Sequence, residues 1–367
     1  MSFTADQEEL RRYARQWLDD KAPLTEVRRI METDTGFDAA LWKEMGELGW
    51  LGMAVAEEHD GAGYGFTELA VLGEEMGRGL FPSPFLSSVV MSAHLVASLG
   101  SETQRSEILP AIVRGDRRLT LAWVEGGDWA ADSFSTQAAD VDGVWRLNGA
   151  KRFVLDGHTA DTIVVAASTA EGVALFLVEG DADGLTRTSL ATMDLTRPLA
   201  DLELTGVRGE LLGTGEGSRP ALASTIDRAV AFLAMEQVGG AQACLDMSVE
   251  YSKNRHQFGR PIGSFQAIKH MCAEMLVEVE SARSAAYHLA KAVDADPGGA
   301  AIGAALAKAY CSEAYFHAAA DTIQIHGGIG FTWEHPAHLY LKRAKSSELL
   351  FGDPVEHRER LAALLDI

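Results

Sequence analysis

A chain of 367 residues with 47% hydrophobic and 23% charged residues is long enough for two or three packed subdomains around a large core. Its 53 acidic against 32 basic residues leave a formal net charge of -21, which argues against nucleic acid as a partner, because phosphate backbones are gripped by clustered Lys and Arg. The three cysteines, Cys244, Cys272 and Cys311, are odd in number and lie in apolar stretches without metal-ligand spacing, which points to a reducing, cytoplasmic setting. The acidic N-terminus lacks the basic start and apolar block of a secretory signal, and no apolar run reaches the roughly 20 residues that span a bilayer, so no membrane partner is expected.

Apolar residues recur at helical spacing through Leu10, Tyr13, Ala14, Trp17 and Leu18, and again through Leu41, Met45, Leu48 and Leu51; residues 1–117 are expected to form a helical domain. Within it, the run from Glu57 to Gly65 is a glycine-rich break before a helix over 68–80, and without a following Lys-Ser/Thr it reads as a turn, not a phosphate loop. From Leu119 the pattern changes to short β runs, clearest at 144–149, 162–166, 173–178 and 200–204, with Asp142-Gly143 and Asn148-Gly149 as turn dipeptides at hairpin-like spacing. Strands without intervening helices predict an antiparallel sheet or small barrel over 118–215. Beyond Gly217, Ala-rich helical segments over 229–251, 265–293 and 300–325 predict a four-helix bundle over 216–367, with Asp296-Pro297-Gly298-Gly299 breaking the second from the third. His335 and His338 stand at i, i+3, but Pro336 between them and the lack of a third ligand favour a helix start, with Pro336 at N1, over a metal site.

Arg255 follows a long predicted helix and precedes Phe258-Gly259-Arg260-Pro261-Ile262-Gly263, a tight loop that opens the next helix. Such a loop offers backbone N–H groups, a guanidinium and an aromatic face together, which suits the pyrophosphate and adenine of a dinucleotide. Taken alone, Arg-x-x-Phe-Gly is more often a plain helix-hairpin turn.

The longer run from Asn254 to Gln266, followed by Gln324-Ile325-His326-Gly327-Gly328-Ile329-Gly330-Phe331, resembles the two C-terminal signatures of the acyl-CoA dehydrogenases. The order helices, β domain, helical bundle is similar to that family's α+β architecture over essentially the whole chain. By this resemblance Arg255, Gln257, Phe258 and Gln266 hold the pyrophosphate and adenosine region of an FAD on a neighbouring subunit, and Gln324, Gly327 and Gly328 approach its adenine end. The resemblance implies an acyl-CoA substrate and an electron-transfer flavoprotein as acceptor. An anionic CoA thioester then needs local basic residues such as Arg255, Lys342, Arg343 and Lys345 to override the global charge.

The chain departs from that family where the chemistry is done. Desaturation of a thioester needs a carboxylate to take the α-proton while the β-hydride goes to the flavin. The two positions where family members carry it align with Phe351 and Ala229. Glu236, two helical turns beyond Ala229, and Glu348, one turn before Phe351, are weak substitutes, better read as ordinary helix charges. The loop that usually reads Thr-Glu-Pro-x-x-Gly-Ser-Asp keeps Glu125, Gly127 and Asp128 but loses its proline, and the usual Trp-Ile-Thr-Asn-Gly appears as Phe153-Val154-Leu155-Asp156-Gly157. The losses fall on what a subunit supplies to its own flavin ring and substrate. That resembles the smaller subunit of the heteromeric actinobacterial enzymes that act on bulky or steroid-derived acyl-CoA, in α2β2 tetramers with a second, base-bearing subunit. A homotetrameric flavoenzyme with a relocated base or another flavin reaction, and a silent oligomerisation scaffold, are the alternatives.

Overall fold

The computed structural model describes residues 3–127, 129 and 133–367. In chain order it runs α1 (Ala5–Lys21), α2 (Leu24–Ile30), α3 (Ala39–Glu47), α4 (Phe66–Arg78), a π-helical segment (Phe85–Ser92), α5 (Ala93–Leu99) and α6 (Glu102–Val113). The strands β1 (Leu119–Ala122), β2 (Gln137–Val141), β3 (Val144–Leu155), β4 (Thr162–Thr169), β5 (Gly172–Glu179), β6 (Leu185–Ser189) and β7 (Leu199–Leu211) follow. Then come α7 (Ser218–Asn254), the two-residue strands β8 (His256–Gln257) and β9 (Arg260–Pro261), α8 (Gln266–Ala295), α9 (Pro297–His326), α10 (Ala337–Leu349) and α11 (Pro354–Leu364). By contact the chain divides into two units, one of Met1–Arg29, Phe66–Phe81 and Val230–Ile367, the other of Ile30–Gly65 and Pro82–Ala229.

The first unit is helical. Thr4 starts α1 with a capping box to Gln7, and Ala14, Trp17 and Leu18 are buried on the face that packs on α4, while Tyr13 stays half exposed. Helix α4 is buried on nearly every side, Glu74 and Glu75 included. Arg11 of α1 reaches Glu74 at 2.7 Å and Glu75 at 3.1 Å, Arg15 reaches Glu75 at 2.7 Å, and Arg283 of α8 pairs with Glu74. Helices α4 and α7 touch backbone to backbone: a Cβ on Gly77 or Gly239 would overlap the carbonyls of Glu236 and Glu74. Helix α9 packs against α8, α10 and α11. The expected break at 296–299 shrinks to Asp296, because Pro297 needs no N–H at the first helical position. Pro336, expected at N1 of α10, is its N-cap instead, with φ -76° and ψ -12°. Helix α7 begins at Ser218, well before the expected 229; Pro220 sits in its first turn, where a missing N–H costs nothing.

The second unit carries the β domain. The strand order is β1-β4-β2-β3-β7-β5, and β4 also pairs with β5, so the sheet closes on itself. Leu147, Ile163, Val165, Phe176, Val178, Leu202 and Val207 fill it. Pairing is antiparallel except that β1 lies parallel to β4 and β2 touches β4 in parallel at one position, which departs from an all-antiparallel expectation. Asp142 (φ 56°) and Gly143 (φ 81°) make the β2–β3 hairpin turn as expected. Asn148-Gly149 is no turn: β3 runs through it with a register shift against β7, and the Asn148 side chain accepts a hydrogen bond from Gly206 N–H at 2.7 Å. No helix among the described residues is long and apolar enough to cross a membrane.

Candidate active site

The Arg255 loop is built from the end of α7. Gln257 pairs with Arg260 across a two-residue turn at Phe258 (φ 53°) and Gly259 (φ 76°), a hairpin that tolerates a phenylalanine in the left-handed region. The turn throws Phe258 outward, 92% exposed. Arg255 donates its N–H to Tyr251 O and accepts from Ile262 N–H, both at 2.8 Å, so its backbone is fixed while its side chain is exposed. That guanidinium has no hydrogen bond or ion pair among the described residues, in contrast to Arg260, which lies 4.1 Å over the Phe265 ring. Gln257 and Gln266 are exposed beside it.

The second loop follows α9. Gln324, Gly327 and Gly328 are exposed, and a Cβ on either glycine would meet no atom within 4 Å. The structure brings the two loops together: Tyr251, one turn before Arg255, stacks on His326, two residues after Gln324, with ring centroids 4.3 Å apart. His326 donates from Nδ1 to Thr322 O at 2.7 Å and faces His335 at 4.3 Å. Burial holds both imidazoles below their usual pKa, and burial with Lys342 and Arg28 nearby takes His338 down to about 4. The three histidines are therefore neutral stacking groups at physiological pH, and no cluster of three or more His, Cys, Asp or Glu suited to a metal ion occurs among the described residues.

Phe351 and Ala229, the two positions expected from the resemblance to align with the base, are both buried. Phe351 is 3% exposed, at φ 64° in the turn between α10 and α11, and Ala229 is fully buried in α7. Glu236 is also buried, its carboxylate 4.0 Å from the Arg343 guanidinium, and Glu348 pairs with Lys345 at 2.8 Å. The Phe351 turn is nonetheless firmly held. Lys308, fully buried in α9, donates to Glu348 O and Gly352 O at 2.8 Å and to Ser312 Oγ at 3.2 Å, and His357 Nε2 lies 2.9 Å from Phe351 O. Burial brings the Lys308 ammonium down to about 7 and the His357 imidazole to about 4. Sequence reasoning missed both; the signal for Lys308 was a lone cation in the apolar run from Ala304 to Tyr310.

In the β domain, Glu125 acts as a structural clamp. Its carboxylate accepts from Lys151 Nζ at 2.6 Å, from Thr136 N–H at 3.0 Å, and from the Ser135 N–H and hydroxyl. Burial would raise its pKa, but these donors outweigh it and bring the group to about 2. Leu155, in place of the expected flavin-facing threonine, is buried, and Asp128 lies outside the described residues.

Residues 4–116, 125–207 and 215–365 match in turn the N-terminal, middle and C-terminal domains of acyl-CoA dehydrogenase. The chain belongs to the acyl-CoA dehydrogenase family. It is similar to acyl-CoA dehydrogenase IpdE2 of Mycolicibacterium smegmatis, 35% identical over 92% of this chain and 91% of that one. Among solved structures it resembles the Tcur3481-Tcur3483 steroid ACAD G363A variant (TM-score 0.90, 33% identity, 98% of each chain covered). It also resembles the ChsE4-ChsE5 complex from Mycobacterium tuberculosis (TM-score 0.91, 30% identity, 100% of this chain and 98% of that one). As an acyl-CoA dehydrogenase the chain is an FAD-dependent oxidoreductase acting on CH–CH donors. When bound, FAD supplies the hydride acceptor. The residues present would suit that group: an exposed Arg255 guanidinium unpaired among the described residues, exposed glutamine amides, and two glycines with open space before them.

Proposed function

We propose that this acyl-CoA dehydrogenase is the base-lacking subunit of an α2β2 heterotetramer that desaturates a bulky, steroid-derived acyl-CoA. In this reading Arg255, Gln257, Phe258 and Gln266 hold the pyrophosphate and adenosine of the partner's FAD, and Gln324, Gly327 and Gly328 lie against its adenine end. The partner contributes the α-proton base, and an electron-transfer flavoprotein takes the electrons. One observation carries it: both base positions hold buried apolar side chains, Phe351 and Ala229, while the loops that would grip a neighbour's flavin stand exposed and intact. The likeness to the steroid ACAD variant supports the steroid part, and the likeness to the ChsE4-ChsE5 complex supports the heteromeric part.

The alternative of a relocated base turns on Glu236. Its pairing with Arg343 and its burial leave it poorly placed as a proton acceptor. In a purified mixed tetramer, Glu236→Gln is expected to leave substrate-dependent flavin bleaching within about two-fold of the parent rate, because the isosteric amide retains the packing. A carboxylate-to-amide change at the partner's base is expected to slow bleaching by at least about 100-fold. The reverse pattern would place the base in this chain.

A further inference from the structure

The loop after β1 takes a course that its usual sequence forbids. Where the usual pattern has proline directly after the glutamate, this chain has Gly126 at φ 66°, followed by Gly127 at φ 94°. Proline is locked at a φ of about -65°, so a loop with proline at 126 cannot follow this path, whereas glycine does so without strain. The Glu125 carboxylate closes the two ends of the loop on one another. It accepts from Ser135 N–H at 2.6 Å and from Thr136 N–H at 3.0 Å, while Lys151 of β3 donates to it at 2.6 Å.

That course delivers Trp129, a half-buried residue, to the ring of Phe153. The Trp129 carbonyl accepts from Trp123 Nε1–H at 3.3 Å. Its ring centroid lies 5.7 Å from that of Trp123 at an interplanar angle of 59°, and 6.3 Å from that of Phe153 at 31°. Both separations fall in the range over which aromatic pairs attract. Gly127 lies against Phe153 as well, since a Cβ there would stand 4.0 Å from Phe153 Cε2. Phe153 is fixed in β3 at φ 54°, with its N–H donating to Asp201 Oδ1 at 3.3 Å and Arg152 Nη1 donating to Asp201 Oδ2 at 2.9 Å. Its ring is therefore presented at one place, with 39% of the residue still exposed.

Phe153 opens the stretch 153–157, which by resemblance faces a subunit's own flavin ring. Two aromatic residues at such a place act with opposite signs, as a cover that a flat ring must displace or as a platform on which it stacks. Trp129 is tied at its backbone and already in contact with two rings, the arrangement of a cover. A ring that displaced it would also gain no hydroxyl at 155, where Leu155 is buried in place of threonine. We infer that Trp129 is a built-in cover on Phe153 that excludes a flavin ring from this chain's own β domain. The inference rests on the base-lacking reading and deepens it: a chain that grips a partner's flavin from outside leaves its own ring site unused, and Trp129 closes it.

The test is riboflavin binding by the full-length chain alone, followed by quenching of riboflavin fluorescence. Riboflavin carries the isoalloxazine ring without the adenosine assigned to Arg255 and Gln324, so it reads the ring site by itself. Trp129→Ala is expected to bind riboflavin about 10-fold more tightly than the parent, the size of an aromatic contact that the ring no longer has to displace. Trp129→Phe keeps an aromatic cover and should stay within about two-fold of the parent. Trp123→Phe loses the N–H that holds the Trp129 carbonyl and keeps a ring, so it should shift binding in the same direction as Trp129→Ala by a smaller factor. It carries the comparison if the alanine variant does not fold. Equal affinity in the parent, Trp129→Ala and Trp123→Phe would overturn the inference. Weaker binding by Trp129→Ala would overturn it too, and would make Trp129 a platform. The two readings fail separately: the flavin count of the mixed tetramer decides the base-lacking subunit, and riboflavin on this chain alone decides the cover.

Discussion

Glu75→Ala is expected to destabilise the chain by about 3 kcal/mol, seen as a lower midpoint in urea unfolding at unchanged slope. Glu75 is 1% exposed and is the shared partner of two guanidiniums: Arg15 donates to its two oxygens at 2.7 and 2.8 Å, and Arg11 donates at 3.1 Å. Without it, Arg15 loses both of its contacts to Glu75, while Arg11 keeps Glu74 and Arg283 keeps Glu74 and Glu280, and burial already holds the Arg283 guanidinium down to about 10. The cost is that of stranded charge more than of a lost bond, so Glu75→Gln, which restores volume but not charge, should recover only part of it. An unchanged midpoint for the alanine variant would show that solvent reaches the cluster and screens it.

Arg255→Ala is expected to weaken FAD binding by the assembled enzyme by about 30-fold to 1000-fold, the effect of truncating one partner of a close charge pair at about 2–4 kcal/mol. The backbone of Arg255 is fixed by Tyr251 and Ile262 while its guanidinium is exposed and unpaired, so the side chain is removable without disturbing the hairpin. Arg255→Lys should recover only part of the affinity, because a point charge does not reproduce the two-pronged donor geometry that suits a pyrophosphate. Titration of apoenzyme with FAD, followed by flavin fluorescence, gives the number. Equal affinity for parent and Arg255→Ala would remove Arg255 from the cofactor site.

Much of this was legible in the sequence because it rests on local chemistry. The tight loop at Phe258-Gly259 and the Asp142-Gly143 hairpin were identifiable from the residues alone, Gly259, Asp142 and Gly143 being residue types that tolerate the positive φ they adopt, whereas the Gly327-Gly328 step came from the resemblance. The apolar identity of Phe351 and Ala229 needed no structure. What was not legible depends on distant partners. Asn148-Gly149 has the composition of a turn, but β7 pairs alongside β3 and turns it into a bulge. No local pattern marks Glu74 and Glu75 for burial, which becomes tolerable through Arg11, Arg15 and Arg283 arriving from two other helices. Lys308 and His357 act on carbonyls more than 40 residues and 6 residues away, a relation that no spacing rule encodes. The retained Glu125 looked like a remnant of a flavin loop, whereas its carboxylate ties together Lys151, Ser135 and Thr136.

The most direct test of the base-lacking subunit is the flavin content and native mass of the protein, purified alone and after co-expression with candidate partner dehydrogenase subunits. The account predicts little or no bound flavin in the chain alone, and a yellow mixed tetramer with about half a flavin per chain, two partner flavins each gripped by Arg255 and Gln324 of this chain. A yellow homotetramer with one flavin per chain that is bleached by an acyl-CoA would contradict it.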